Sequence, residues 1–233
     1  MSSLFCFRLL IRLLFLTVGV VFSCLFSQTK AQTLLPDHDN QFWSEAQLSG
    51  TLIKDKLDVT FWEFWRHGRD FSFPTDVRTG VGLTIKVNKY LTIQPTYLYL
   101  NQRPWPGVKN LSHRLLLDTT TKFNWGKFGF TNRHRYEHQL RHGRANDIQL
   151  RERMTIDYPV HIGDFQFRVF VSDEIFYSKI FKSVYRNRLA AGVTKTFNAR
   201  FAAELFYLRQ NDGRSRPGDI HSLGTVLKIR LWD

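Results

Sequence analysis

The chain has 233 residues, and 33 lysines and arginines against 20 aspartates and glutamates leave it a formal net charge of +13. Such a balance would suit a nucleic-acid partner, but no basic helix, RNP-like strand motif or zinc pattern accompanies it. Its two cysteines, Cys6 and Cys24, fall in the first 31 residues, so disulfides are excluded from the rest of the chain.

Residues 1–31 read as a secretory signal peptide. Arg8 and Arg12 precede an apolar run over 13–26, and a polar stretch then ends at Ala31, where cleavage is expected. The run is short for a membrane span. Val21-Phe22-Ser23-Cys24 loosely resembles a lipobox, with Phe22 fitting poorly. Removing Arg8, Arg12 and Lys30 lowers the charge from +13 to +10. Residues 32–233 are expected to form one domain.

From residue 42 onward the signal is alternation of period two, the mark of strands with one apolar face. Segments at 42–51 and 57–66 begin the series less cleanly. In 77–87, Val77, Val81, Leu83, Ile85 and Val87 share a face, and Arg78, Gly80, Gly82 and Lys86 take the other. Residues 90–100 follow; then, in 110–123, Leu111, His113, Leu115 and Leu117 oppose Ser112, Arg114 and Asp118. Residues 132–154 read as a hairpin bent at Gly143, with Arg133, Arg135 and Glu137 facing the same way as Gln149, Arg151 and Arg153. Further on, Phe165, Phe167, Val169 and Val171 oppose Arg168, Ser172 and Glu174, and Tyr185, Leu189, Ala191 and Val193 oppose Arg186 and Arg188. Next, Leu205 and Tyr207 oppose Glu204 and Gln210. Last, Leu223, Leu227 and Leu231 oppose Ser222, Lys228 and Arg230.

Most segments run ~9–13 residues, the length a tilted strand needs to cross a bilayer. Connections near 53–56, 88–89, 124–127, 160–163 and 198–199 look short. Those near 67–76, 101–109, 142–147, 178–183 and 211–219 look longer. The expected fold is all-β, an antiparallel up-and-down transmembrane β-barrel. A soluble sandwich would alternate too, but arginine dominates the polar face here. Eleven strands can be traced. Single-chain bacterial barrels have even numbers, which predicts a twelfth crossing within 32–41, with ten strands as the alternative.

Several runs resemble the outer-membrane barrel family known as domain of unknown function 2490. They are Trp43, the Arg133-His134-Arg135-Tyr136-Glu137 run, Arg151-Glu152-Arg153, Asp173-Glu174, and Asn187-Arg188 before Gly192. The resemblance implies an antiparallel barrel in the bacterial outer membrane, and no activity. The chain departs from the usual barrel ending, because Asp233 follows Leu231-Trp232.

The charged phase supplies the candidate site, a lumen network of Arg114, Arg133, Arg135, Glu137, Arg151, Arg153, Arg168, Glu174, Arg188 and Glu204. With Arg186, Lys228, Arg230, Asp118 and Asp157, ten cations would face five carboxylates. Glu137 and Glu174 are the expected hubs, since each can accept from more than one guanidinium. No catalytic or metal set is expected, and no cofactor. In Ser112-His113 and His221-Ser222 the two side chains point to opposite faces, so neither can pair as base and nucleophile. Two functions stay open. One is a non-enzymatic barrel, structural or a narrow pore for small anionic solutes. The other is an outer-membrane hydrolase or acyltransferase acting on lipid. Outer-membrane lipid and the insertion machinery are the expected partners.

Overall fold

The computed structural model describes residues 36–233. The expected signal peptide lies outside them. The described chain is all strand and turn: β1 (His38–Ile53), β2 (Leu57–Gly68), β3 (Phe73–Lys86), β4 (Leu91–Trp105), β5 (Val108–Trp125), β6 (Phe128–Arg141), β7 (Asp147–Ile162), β8 (Phe165–Ser178), β9 (Ser183–Thr196), β10 (Phe201–Asp212) and β11 (Asp219–Trp232). Each strand pairs antiparallel with the next, and β1 closes the barrel by pairing parallel with β11, Phe42 opposite Leu223 and Leu48 opposite Ile229. An odd strand number leaves the first and last strands running the same way, so closure has to be parallel. The count is therefore eleven, one short of the twelve expected. Part of the stretch assigned to the extra crossing, His38 to Gln41, instead extends β1 at its start.

One end of the barrel, the turn end, carries the connections 54–56, 87–90, 126–127, 163–164 and 197–200, and β11 finishes there. The opposite loop end carries 69–72, 106–107, 142–146, 179–182 and 213–218, and β1 begins there. The loops are shorter than their polar sequences imply. Between β4 and β5 only Pro106 and Gly107 intervene, Gly107 at φ +83°, where the sequence suggested a loop over 101–109. The strands run on because paired backbone satisfies its own hydrogen bonds at the rim.

Facing follows the alternation. On β5, Leu115 and Leu117 are 48% and 46% exposed, whereas Arg114 and Asp118 are 9% and 2% exposed. The outside is apolar and the inside is polar, the reverse of a water-soluble barrel. Ring pairs cluster on the outer face near the turn end: Phe123–Phe130, Phe128–Tyr158, Phe165–Phe167 and Phe197–Phe201, with centroids 5.0–5.6 Å apart. Nearer the loop end, Tyr97, Tyr99, Tyr136 and Tyr207 are exposed on the same outer face. One phase differs from expectation. The register shifts between Phe176 and Tyr177, so Val184 faces out while Tyr185 turns inward onto Phe176, centroids 6.3 Å apart. A bulge sends two neighbours, Tyr185 and Arg186, to one side.

Small residues make room inside. A Cβ on Gly224 would lie 2.1 Å from Cζ of Phe206, so the absent side chain is what admits that ring. At Gly192 a Cβ would meet the Leu205 carbonyl oxygen at 2.4 Å, the Phe206 Cβ at 2.7 Å and the edge of the Phe170 ring at 2.9 Å.

Candidate functional site

The strand register brings the arginines together before any carboxylate is counted. Arg135 lies opposite Arg151, and Arg133 opposite Arg153, all four facing inward from β6 and β7. Like charges directly opposite repel. The acids of the flanking strands resolve this. Glu137, 1% exposed, accepts from Nη1 of Arg114 on β5 at 2.9 Å, from Nη2 of Arg151 on β7 and from Nε2 of Gln139 at 2.6 Å. Asp118 takes Arg135 fork-on-fork, Nε and Nη2 each at 2.6 Å. Glu174 on β8 receives Nη2 of Arg153, its direct neighbour, at 2.8 Å, and Nη2 of Arg133 at 2.7 Å from two strands away. Three carboxylates thus hold five guanidiniums in a ladder across β5 to β8. Planar forks suit this sharing better than ammonium groups would.

The other expected network members stand apart. Arg168 pairs with Asp157 toward the turn end. Glu204 meets Lys228 Nζ at 3.3 Å and the Thr194 hydroxyl at 3.4 Å. Arg188 donates through Nε to Oε1 of Gln210 at 2.8 Å, and its guanidinium lies over two aromatic rings, 4.7 Å from Phe176 and 4.9 Å from Trp43. Stacking on rings is a second way to accommodate a guanidinium inside a barrel.

Other interior residues extend the network beyond the expected set. Asp76 accepts from Arg78 and lies 3.8 Å from Nη1 of Arg66. Asp58 takes Lys86 at 2.8 Å and Arg230 at 3.6 Å. Arg186 meets Asp212 at 2.6 Å, and Asp147 accepts the Ser178 hydroxyl at 3.0 Å. Phe176, 0% exposed, lies under Arg151, Arg186 and Arg188. The Arg66 guanidinium sits 3.7 Å from the Trp43 ring centroid. Asp76, Asp147 and Asp212 escape a sequence reading because they stand at strand ends, among residues that look like loop. Inward acids are therefore more numerous than the five counted from alternation, and the positive excess is smaller relative to them. The signal that could have found them is phase: each continues the inward parity of its strand.

The lumen holds two cavities of about 710 Å³ and 500 Å³, the larger toward the turn end and the smaller toward the loop end. Arg66, Arg78, Arg151 and Arg188 line both, and so form the girdle between them. Arg114, Arg133, Arg151 and Arg153 each keep a buried Nε–H with no protein acceptor. On the outer face, His113 and His221 hydrogen-bond through Nδ1 to Tyr97 at 2.6 Å and Tyr207 at 2.5 Å. Ser112 and Ser222 are buried on the opposite face. Also outside, His134 pairs with Glu152. Among the described residues no group of three or more histidines, cysteines or acids is placed to hold a metal ion.

The family model described as "Protein of unknown function (DUF2490)" matches residues 40–220, from the start of β1 into β11. The chain belongs to the DUF2490 family. The stretch that this DUF2490 chain shares with the family model contains the whole Glu137–Asp118–Glu174 ladder and the girdle. No curated protein matches the chain.

Proposed function

We propose that this DUF2490 chain is an outer-membrane β-barrel that catalyses no reaction and offers small anions a narrow passage. The observation that carries the reading is the arginine girdle shared by two cavities of about 710 Å³ and 500 Å³ inside a closed barrel. A pore lined by guanidiniums attracts anions and repels cations. The apolar outer face supports the membrane setting, because exposed rows of leucine, valine and phenylalanine would cost free energy in water at about 25 cal/mol per Å². Ring clusters toward one end and exposed tyrosines toward the other match the aromatic girdles of barrels in a bilayer. The inner charge is also better explained by a lumen than by a dry core, where unpaired arginines would be expensive.

The setting is tested by cell fractionation, carbonate washing and a heat-modifiability gel. The protein should stay with the outer membrane and migrate faster unboiled than boiled. Release by carbonate as a soluble monomer would end the membrane reading. The passage is tested in planar bilayers, where the reversal potential under a potassium chloride gradient should report chloride preference. Clear cation selectivity would refute it.

A further inference from the structure

We propose that the loop-end cavity is a binding site for a phosphorylated saccharide, an inference that rests on the anion-passage reading and gives it a substrate class. The cavity, about 500 Å³, has the size of a small-molecule site and is walled at its outer end by Pro104, Ile180, Arg214 and Arg216. A ligand would enter from the loop end and meet the girdle at the inner end of the cavity.

Charge selects the first half of the ligand. The acids in the wall, Asp76 and Asp147, are already engaged: Asp76 by Arg78, Asp147 by the Ser178 hydroxyl and the Ile180 N–H. Arginines from several strands and loops converge on the same space. Arg114 and Arg151, each more than nine-tenths buried, line it while keeping an Nε–H without a protein acceptor, and Arg141 on the wall keeps one too. Arg144 spends one nitrogen on Asn110 at 3.4 Å. One carboxylate offers two oxygens and a single charge. A phosphoryl group offers three oxygens and close to two charges, which suits forks arriving from different directions.

The remaining wall selects the second half. Gln102, Asn110, Gln139 and Gln149 present primary amides, and each has hydrogen-bonding capacity beyond its contacts within the protein. Amides that both donate and accept match hydroxyl groups, which do the same. Phe181 and Tyr185, edge to face with centroids 5.3 Å apart, add apolar ring surface beside the Arg214 and Arg186 guanidiniums, on which the CH face of a sugar ring can rest. A phosphate alone would use neither the spare capacity of the amides nor the apolar ring surface.

The test is calorimetric titration of the folded barrel in detergent. Glucose 6-phosphate should bind about tenfold or more tightly than inorganic phosphate, and glucose should give no measurable heat. Arg141→Gln and Arg144→Gln should each weaken glucose 6-phosphate about tenfold, the order expected for one charge-assisted hydrogen bond. Arg209→Gln, on the outer face, should change nothing. A 1,4′-bisphosphorylated glucosamine disaccharide, with and without its acyl chains, separates the two sources of this chemistry. Tighter binding with acyl chains points to a lipid headgroup, and equal binding to a soluble solute. Equal affinities for phosphate and glucose 6-phosphate, no binding, or binding indifferent to both Arg141→Gln and Arg144→Gln would overturn the site. The same preparations in planar bilayers keep the two readings apart. A barrel that binds but does not conduct retains the site and loses the passage. One that conducts chloride but ignores the sugar phosphate does the reverse.

Discussion

Glu137→Gln is the sharpest single perturbation of the lumen. The carboxylate is 1% exposed and is shared by Arg114 at 2.9 Å and Arg151, with Gln139 donating at 2.6 Å. The amide removes the charge and turns one acceptor into a donor facing a guanidinium. Breaking a buried pair by removing one partner costs about 3–5 kcal/mol, because the charge left behind is uncompensated. Here two cations lose one anion, which pushes the cost up. The cavities on either side can hydrate them, which pulls it down. A loss of roughly 3 kcal/mol is the expectation, and with a slope near 2 kcal/mol per molar it lowers a urea midpoint by about 1.5 M. The assay is equilibrium unfolding in detergent, followed by tryptophan fluorescence and by heat-modifiability. Glu204→Gln serves as the comparison, since its contacts are the Thr194 hydroxyl at 3.4 Å and one well-exposed lysine at 3.3 Å; it should cost under about 1 kcal/mol. Adding Arg151→Met to Glu137→Gln should recover part of the loss, because an apolar chain replaces a stranded charge. Equal, small effects at Glu137 and Glu204 would refute the hub assignment.

Val169 faces outward on β8, and for a position near the bilayer midplane Val169→Arg should cost about 2–4 kcal/mol in reversible folding into bilayers; a neutral result would argue against the strand phase. Phe176→Ala empties a fully buried ring site beneath Arg151, Arg186 and Arg188. It should cost about 3–5 kcal/mol in the same unfolding assay and raise single-channel conductance, since the girdle loses its packing. Gly192→Ala forces a Cβ to within 2.4 Å of the Leu205 carbonyl oxygen, a contact only backbone movement can relieve. A loss of about 1–3 kcal/mol, seen as a lower transition temperature on heat-modifiability gels, is expected.

Facing was legible in the sequence because a strand's side-chain period is two and the two faces meet different surroundings. Leu115 and Arg114 could be assigned to outside and inside from their neighbours alone, and Glu137 and Glu174 could be named as hubs from the density of arginine on the same phase. The limits of the strands were not legible. Asp76, Asp147 and Asp212 sit among polar residues that read as loop, and only pairing with a neighbouring strand shows them to be interior. Alternation places Tyr185 outward, because a bulge leaves no mark in a period-two pattern; the register between β8 and β9 turns it inward. The eleventh strand's partner was equally invisible, since whether a sheet closes on itself in parallel depends on where its two edges meet in space. In a regular strand the alternation alone tells which residues share a face, since that is a local property of extended backbone. Which charges meet on the inner face depends on how the strands stand side by side: Arg133 reaches Glu174 across the strand that lies between them.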